Sequence, residues 1–421
     1  MSIKISFTME AKKSLIPGIG WNQQKAEQFA RNLADEFGYH CSVTENCIIF
    51  QFCPEGYLWM TWEKPRLAGE CQTNLAGPGF HASVIYFLEL FAARGDLKLS
   101  VDDETGFYEN RDFYKMRHDY FYPWFSSLLE HILEYRDEES QVQQLICWPP
   151  DYYLPEHQKD TVVTHIRRFE MSEIYGMSHS GLASAFARDF FIWNEEEKDA
   201  YYYRNCGLVL MNQECCFMPS KRSLTDRKMN QEIIRLLERA VSMDREIPFP
   251  QQEYLELCGL AKRSRWTFQE QRTVTAACGM PEGLVYHTIG CLRFAVPGSF
   301  LYDGHPGSLE RYHDGLEKHW HEYYICALQG DGDVCFQEAL FQKDIVTRIV
   351  EIQLGAARGK MAVCRPTQRD GKTVHRISAQ IIYKEQMTII NVCFDDPGDQ
   401  EWAMDLIRKI QVVEEKEEEQ K

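Results

Sequence analysis

The chain has 421 residues, of which 44% are hydrophobic, 13% aromatic and 26% charged. This is a globular composition with enough chain for a sizeable core and two or three domains. Acids outnumber bases 63 to 46, a net charge of −17, which excludes a general nucleic-acid binder and electrostatic docking on anionic lipid, since both need a basic face.

Lys4, Glu10, Lys12 and Lys13 interrupt any apolar stretch near the start, so no signal peptide is read. The longest apolar run, 82–93, contains Glu89 and is too short to span a bilayer. The expectation is a cytoplasmic protein of bacterial type. Its 15 cysteines include no C-x-x-C pair, and Cys147, Cys291, Cys326, Cys364 and Cys393 sit in apolar runs. They read as reduced core residues.

In chain order, residues 22–38 carry apolar positions at helical spacing, closed by Gly38. Strands are predicted at 40–44, 47–52 and 57–63, with a fourth near 70–75. Gly77-Pro78-Gly79 breaks the chain before a helix over 80–94, and 97–103 is a strand. A Gly-rich helix entry can hold an anion. The Walker lysine and the G-x-G-x-x-G spacing are absent, so the segment reads as a loop before a buried helix, with His81 in its first turn. After an acidic loop comes an aromatic helix bearing Phe121, Trp124, Phe125, Leu128, Leu129 and Ile132. Helices are predicted at 177–191 and 228–243 with a strand at 206–211 between them, and a short helix ends near Gly259. Ser178 or Ser180 reads as a helix cap. Residues 261–283 read as a linker.

The second half reads as a hairpin (284–288 and 291–296), a helix over 308–322, and strands at 323–328, 334–341, 346–354, 374–383 and 386–394. A terminal helix follows over 400–410. The tail, 414–421, is acidic and expected to be disordered. The domains are therefore 1–260, with a sub-boundary near 105, and 284–413, both α+β with mainly antiparallel sheets packed by helices.

Three constellations carry candidate chemistry. Asp102, Asp103 and Glu104 with Phe107 and Tyr108 form an aromatic-acidic patch after a strand end, suited to acid–base work or to a partner-binding edge. Trp193, Tyr201, Tyr202 and Arg204 are residue types enriched at binding hot spots, and they equally suit an aromatic core. His313, Glu317 and His321 fall at i, i+4 and i+8, on one face of the predicted helix, as candidate ligands for zinc or iron. The outer two lie about 12 Å apart at 1.5 Å per residue, too far to chelate one ion unaided.

The last 130 or so residues resemble a PsbP-like α/β domain, the fold shared with DcrB-type proteins. The resemblance rests on the segment from Phe294 to Phe300 (FAVPGSF) and on strands ending in NVCFDDP that run into a helix with Glu401, Trp402, Ala403 and Met404. It implies a binding or chaperone-like domain and no catalytic residue set. The sequence thus points to a non-enzymatic, protein-binding adaptor without a cofactor. Its negative charge suits a basic partner, such as a toxin to be neutralised or a secreted effector to be chaperoned. The alternative is a metal-dependent hydrolase using His313, Glu317 and His321.

Overall fold

The computed structural model describes residues 2–11, 21–44, 46–63, 66–134, 144–145, 152–153, 161–180, 183–215, 217, 220, 224–266, 284–302, 310–315, 321–329, 336, 341–342, 345–369 and 371–412. The architecture is α+β, in two compact units. Met1–Trp148, His157–Glu214 and Lys228–Ala277 form the first, and Pro149–Glu156, Cys215–Arg227 and Cys278–Lys421 the second. The first unit continues across residue 105, and Pro149–Glu156 and Cys215–Arg227, inside the expected 1–260 domain, belong to the second.

The first unit is built on six antiparallel strands: β1 (Lys4–Ala11), β2 (His40–Thr44), β3 (Cys47–Cys53), β4 (Gly56–Glu63), β5 (Arg66–Gln72) and β6 (Leu97–Asp103). Their order is β2-β3-β4-β5-β1-β6. β1, which the reading above left unassigned, lies between β5 and β6. Its Ile5, Phe7 and Met9 are buried, and Ser6, Thr8 and Glu10 alternate on the other face. That is the two-residue period of a strand covered on one side.

Two helices cover the inner face. α1 (Gln23–Phe37) starts where the Asn22 side chain accepts from the Lys25 N–H at 2.9 Å, and stops at Gly38 in the left-handed region. α2 (Pro78–Arg94) is apolar nearly all round, with Phe80, Val84, Ile85, Phe87, Leu88 and Phe91 buried. Phe87 and Phe91 pack edge-on against Phe50 of β3, and Phe29 of α1 packs on Phe91. Each such ring contributes about 1.5–3 kcal/mol by leaving water.

Behind α2 stands an aromatic layer in which Phe121, Trp124 and Phe125 meet Phe190 and Phe191. The predicted strand at 206–211 is instead part of the helix Ala200–Gln213, capped by Asp199 accepting from the Tyr202 N–H. Its apolar run is buried on a helix, and an apolar run alone does not tell the two apart. The helix predicted at 177–191 begins earlier, at Met171, so Ser178 lies in its last turn and caps nothing at its start.

The second unit holds a larger antiparallel sheet. Its long strands run in the order Glu322–Gln329, Gln386–Phe394, Lys372–Tyr383, Ala357–Cys364 and Val346–Leu354. The strand Ala357–Cys364 was not foreseen; it follows a turn at Gly355, whose φ is 61°. The helix Gln400–Arg408 packs Ala403, Met404, Leu406 and Ile407 into a core with Ile325, Tyr323, Ile390 and Val392. The helix expected over 308–322 is corrected: Glu310–His313 is a strand paired antiparallel to Glu322–Gln329. Most of 334–341 and all of 414–421 lie outside the described residues.

The eleven described cysteines are free thiols, with Cys364 and Cys393 buried and Cys291 and Cys326 partly so; Cys147 lies outside the described residues. No described helix is long and apolar enough to cross a membrane.

Candidate functional site

Register places the candidate site on the outer face of the six-stranded sheet. Pairing aligns Ser42 with Ile49, Ile49 with Trp59, Trp59 with Glu70, Glu70 with Ser6 and Ser6 with Asp102. A neighbouring row runs Cys47, Thr61, Ala68, Thr8, Ser100. Directly opposed residues share a face, so small side chains floor a basin while Trp59 and the two carboxylates stand on it.

Trp59 is 49% exposed and Tyr57 38%. Two open depressions meet at Trp59 and Glu70. One, of about 460 Å³, is lined by Ser6, Thr8, Thr61, Ser100, Glu63 and Asp102 among others. The other, of about 600 Å³, is lined by Glu55, Tyr57, Gln72, Asn74 and Leu75. Among the described residues, no lysine or arginine lines either one. Burial and the nearby Glu214 carboxylate push the Glu55 carboxyl up. Glu63 is paired with Arg66 at 2.9 Å, whereas Glu70 and Asp102 make no ion pair among the described residues.

The aromatic-acidic patch expected at 102–108 is split by the strand's alternation. Asp102 and Glu104 are exposed and Tyr108 is half-buried. Phe107 is fully buried. Asp103 points inward into a closed network: its carboxylate accepts from the Thr105 N–H (2.9 Å), the Thr105 hydroxyl (2.8 Å) and the Tyr108 N–H (2.8 Å). It also meets His81 Nε2 at 3.1 Å, and His81 Nδ1 lies 3.0 Å from the Thr73 hydroxyl. Burial by itself raises the Asp103 carboxyl, but His81 and the two backbone N–H groups outweigh it and hold it at about 2. The side chains of His81 and Asp103 are wholly buried. The arrangement pins β6, α2 and the end of β5's loop together and offers a substrate no approach.

The hot-spot reading of Trp193, Tyr202 and Arg204 is overturned by burial, at 3%, 5% and 0% exposure. Arg204 bonds Asp189 at 2.6 Å and the Asn205 side-chain oxygen at 2.8 Å. Tyr201 is half-buried between the Arg188 and Arg204 guanidiniums. The Trp193 backbone explains the Gly77-Pro78-Gly79 turn. Its carbonyl accepts from the Gly79 N–H (2.9 Å), and its N–H donates to the Ala76 carbonyl (2.8 Å). The N–H at this helix entry is thus taken by the chain itself.

The helical metal face does not form. His313 is on a strand, Glu317 lies outside the described residues, and His321 precedes the strand Glu322–Gln329. Among the described residues no three His, Cys, Asp or Glu side chains are grouped to hold a metal. His313 Nδ1 accepts from the Gly315 N–H, and His321 lies between Asp314 (3.1 Å) and Asp399 (2.8 Å) against Trp402.

Burial lowers the His321 imidazole, but the two carboxylates outweigh it and the net effect is upward. A folded value above the unfolded ~6.5 gives stability that is full below that pH and lost as pH rises through the folded value. The full chain is therefore expected to melt lower at pH 8.5 than at pH 6, and His321→Gln to flatten that slope in thermal unfolding. An unchanged slope in the variant would remove His321 as its source.

Sequence reasoning missed Trp59, Tyr57 and Glu70. The available signal was GYLWMTWE, where aromatic residues occupy the parity opposite the core positions Leu58 and Met60.

No family model matches the chain, and no curated protein matches it. Among solved structures, a Bacteroides thetaiotaomicron protein is 10% identical over 30% of this chain and 46% of its own, with a TM-score of 0.23. A protein of unknown function from Pseudomonas aeruginosa is 12% identical over 30% of this chain and 94% of its own, with a TM-score of 0.21. Likenesses this low bear on neither fold nor function.

Proposed function

We propose that the chain is a non-enzymatic binding protein whose outer sheet face in the first unit docks a partner protein with a basic surface. The observation carrying this reading is the open face itself: a broad basin with exposed Trp59 and Tyr57, bordered by Glu55, Glu70 and Asp102 and with no cation among the described residues that line it. A sheet face left open to water ordinarily alternates core residues with polar ones. Large aromatic side chains at the outward positions, ringed by polar groups, are the pattern of an interaction patch. The net charge of −17 favours a cationic partner and speeds its approach. The likeness of the last 130 residues to chaperone-like domains is compatible with this reading and adds no catalytic group to it.

The test is affinity purification of the tagged full chain from its native cells, in parallel with the Glu70→Lys/Asp102→Lys variant. The expected result is a stoichiometric basic partner that is released as salt rises and is absent from the variant. A partner retained equally by the charge-reversed variant would overturn the reading.

A further inference from the structure

We infer that Trp59 and Glu70 form an arginine anchor, a place where one guanidinium of the basic partner stacks on the indole while pairing with the carboxylate. The inference rests on the docking reading above and names the chemistry that the face selects.

Three observations carry it. First, the chain covers two of this unit's exposed aromatic rings with its own cations: Arg94 lies 5.9 Å from the Phe37 ring centre and Arg111 5.8 Å from that of Tyr86. No described cation lies over Trp59. Second, three surface carboxylates of the unit are paired, Glu36 with Arg94, Glu89 with Arg111 and Glu63 with Arg66. Glu70 has no such partner among the described residues. Third, the open ring and the open carboxylate are cross-strand partners, which places their Cβ atoms about 4.5–5.5 Å apart on one face. Both halves of a cation site stand side by side, with no described cation on either, at the point where the two depressions meet.

The same geometry selects arginine over lysine. A guanidinium is flat, weakly hydrated and able to pair in fork fashion with a carboxylate while its plane lies on an indole. An ammonium is a compact, strongly hydrated point charge that gives up more water to reach an open surface. Asp102 lies two strands from Glu70, about 10 Å at 4.7–4.9 Å per strand, and takes a second basic side chain of the same segment.

The probe is acetyl-Gly-Arg-Gly-Arg-Gly-amide, with its lysine and citrulline counterparts, titrated into the full chain carrying 15N-tryptophan. The Trp59 indole signal is identified by its loss in Trp59→Phe. The arginine peptide is expected to move that signal and to bind at least threefold more tightly than the lysine peptide. The uncharged citrulline peptide is expected to leave it in place, and Glu70→Gln to weaken the arginine peptide at least fivefold. Equal binding of the arginine and citrulline peptides, equal binding of the arginine and lysine peptides, or no effect of Glu70→Gln would overturn the anchor. Trp59→Ala in the cell-purification assay separates the two readings. A partner lost from Glu70→Lys/Asp102→Lys but kept by Trp59→Ala sinks the anchor and leaves the docking face standing. A partner kept by both variants sinks both.

Discussion

Asp103→Ala is expected to destabilise the first unit by about 3–5 kcal/mol, the cost of leaving several buried hydrogen-bond donors unsatisfied at once. The carboxylate is wholly buried and accepts from two backbone N–H groups and the Thr105 hydroxyl while meeting His81. Deleting it strands those donors where water does not reach, and each stranded donor costs about 1–3 kcal/mol. Urea unfolding of the full chain reads this as a lower midpoint for the first unit, and an unmoved midpoint would refute it. The acid limb has a definite sign. Because the folded carboxyl is held at about 2, below the unfolded ~3.9, its contribution is present above pH ~4 and is lost as pH falls toward 2. Asp103→Asn is expected to lack that part of the wild-type acid transition.

Gly79→Ala is expected to cost at least about 3 kcal/mol, although it adds one methyl group to a helix. An added Cβ would lie 2.1 Å from Trp193 Cδ1 and 2.2 Å from the Glu195 carbonyl oxygen. The second of these is backbone and has no rotamer to change. Relief requires the 193–195 segment to move away, which breaks the Gly79-to-Trp193 and Trp193-to-Ala76 hydrogen bonds. Overpacking costs about 1–3 kcal/mol and each lost bond about 1 kcal/mol. Gly259→Ala is the control. It sits within the helix Gln251–Ala261 with nothing within 4 Å of an added Cβ, and is expected to stabilise by up to about 1 kcal/mol through helix propensity. Thermal melting of the two variants decides it: similar shifts for both would refute the close-approach account.

Local rules in the chain sufficed for α1, the three strands that follow it, α2 and β6. Asn22 and Gly38 bound α1, and the three strands β2, β3 and β4 stand in their expected places. β1 was legible as well, in the alternation of Ile5, Phe7 and Met9 with Ser6, Thr8 and Glu10. The segment 206–211 was not legible, because a short run buried on every side carries no period. The predicted helix at 308–322 failed because its polar spacing fits a helix face, whereas pairing with Glu322–Gln329 gives each residue of Glu310–His313 a strand partner.

The α+β class, the caps and turns and the acidic balance each follow from residues near in the chain or from a count. Which carboxylates and rings face water depends on contacts between segments far apart in the chain. Asp102 and Asp103 are chain neighbours, yet a strand sends one to the open face and the other into a sealed network with His81. Trp59 and Trp193 are the same residue type, yet one stands 49% exposed and the other 3%. Burial is set by what packs from elsewhere in the chain, here α2 and the 191–195 segment. Trp59 and Glu70 become neighbours only through the β4–β5 register, which no count of residues contains.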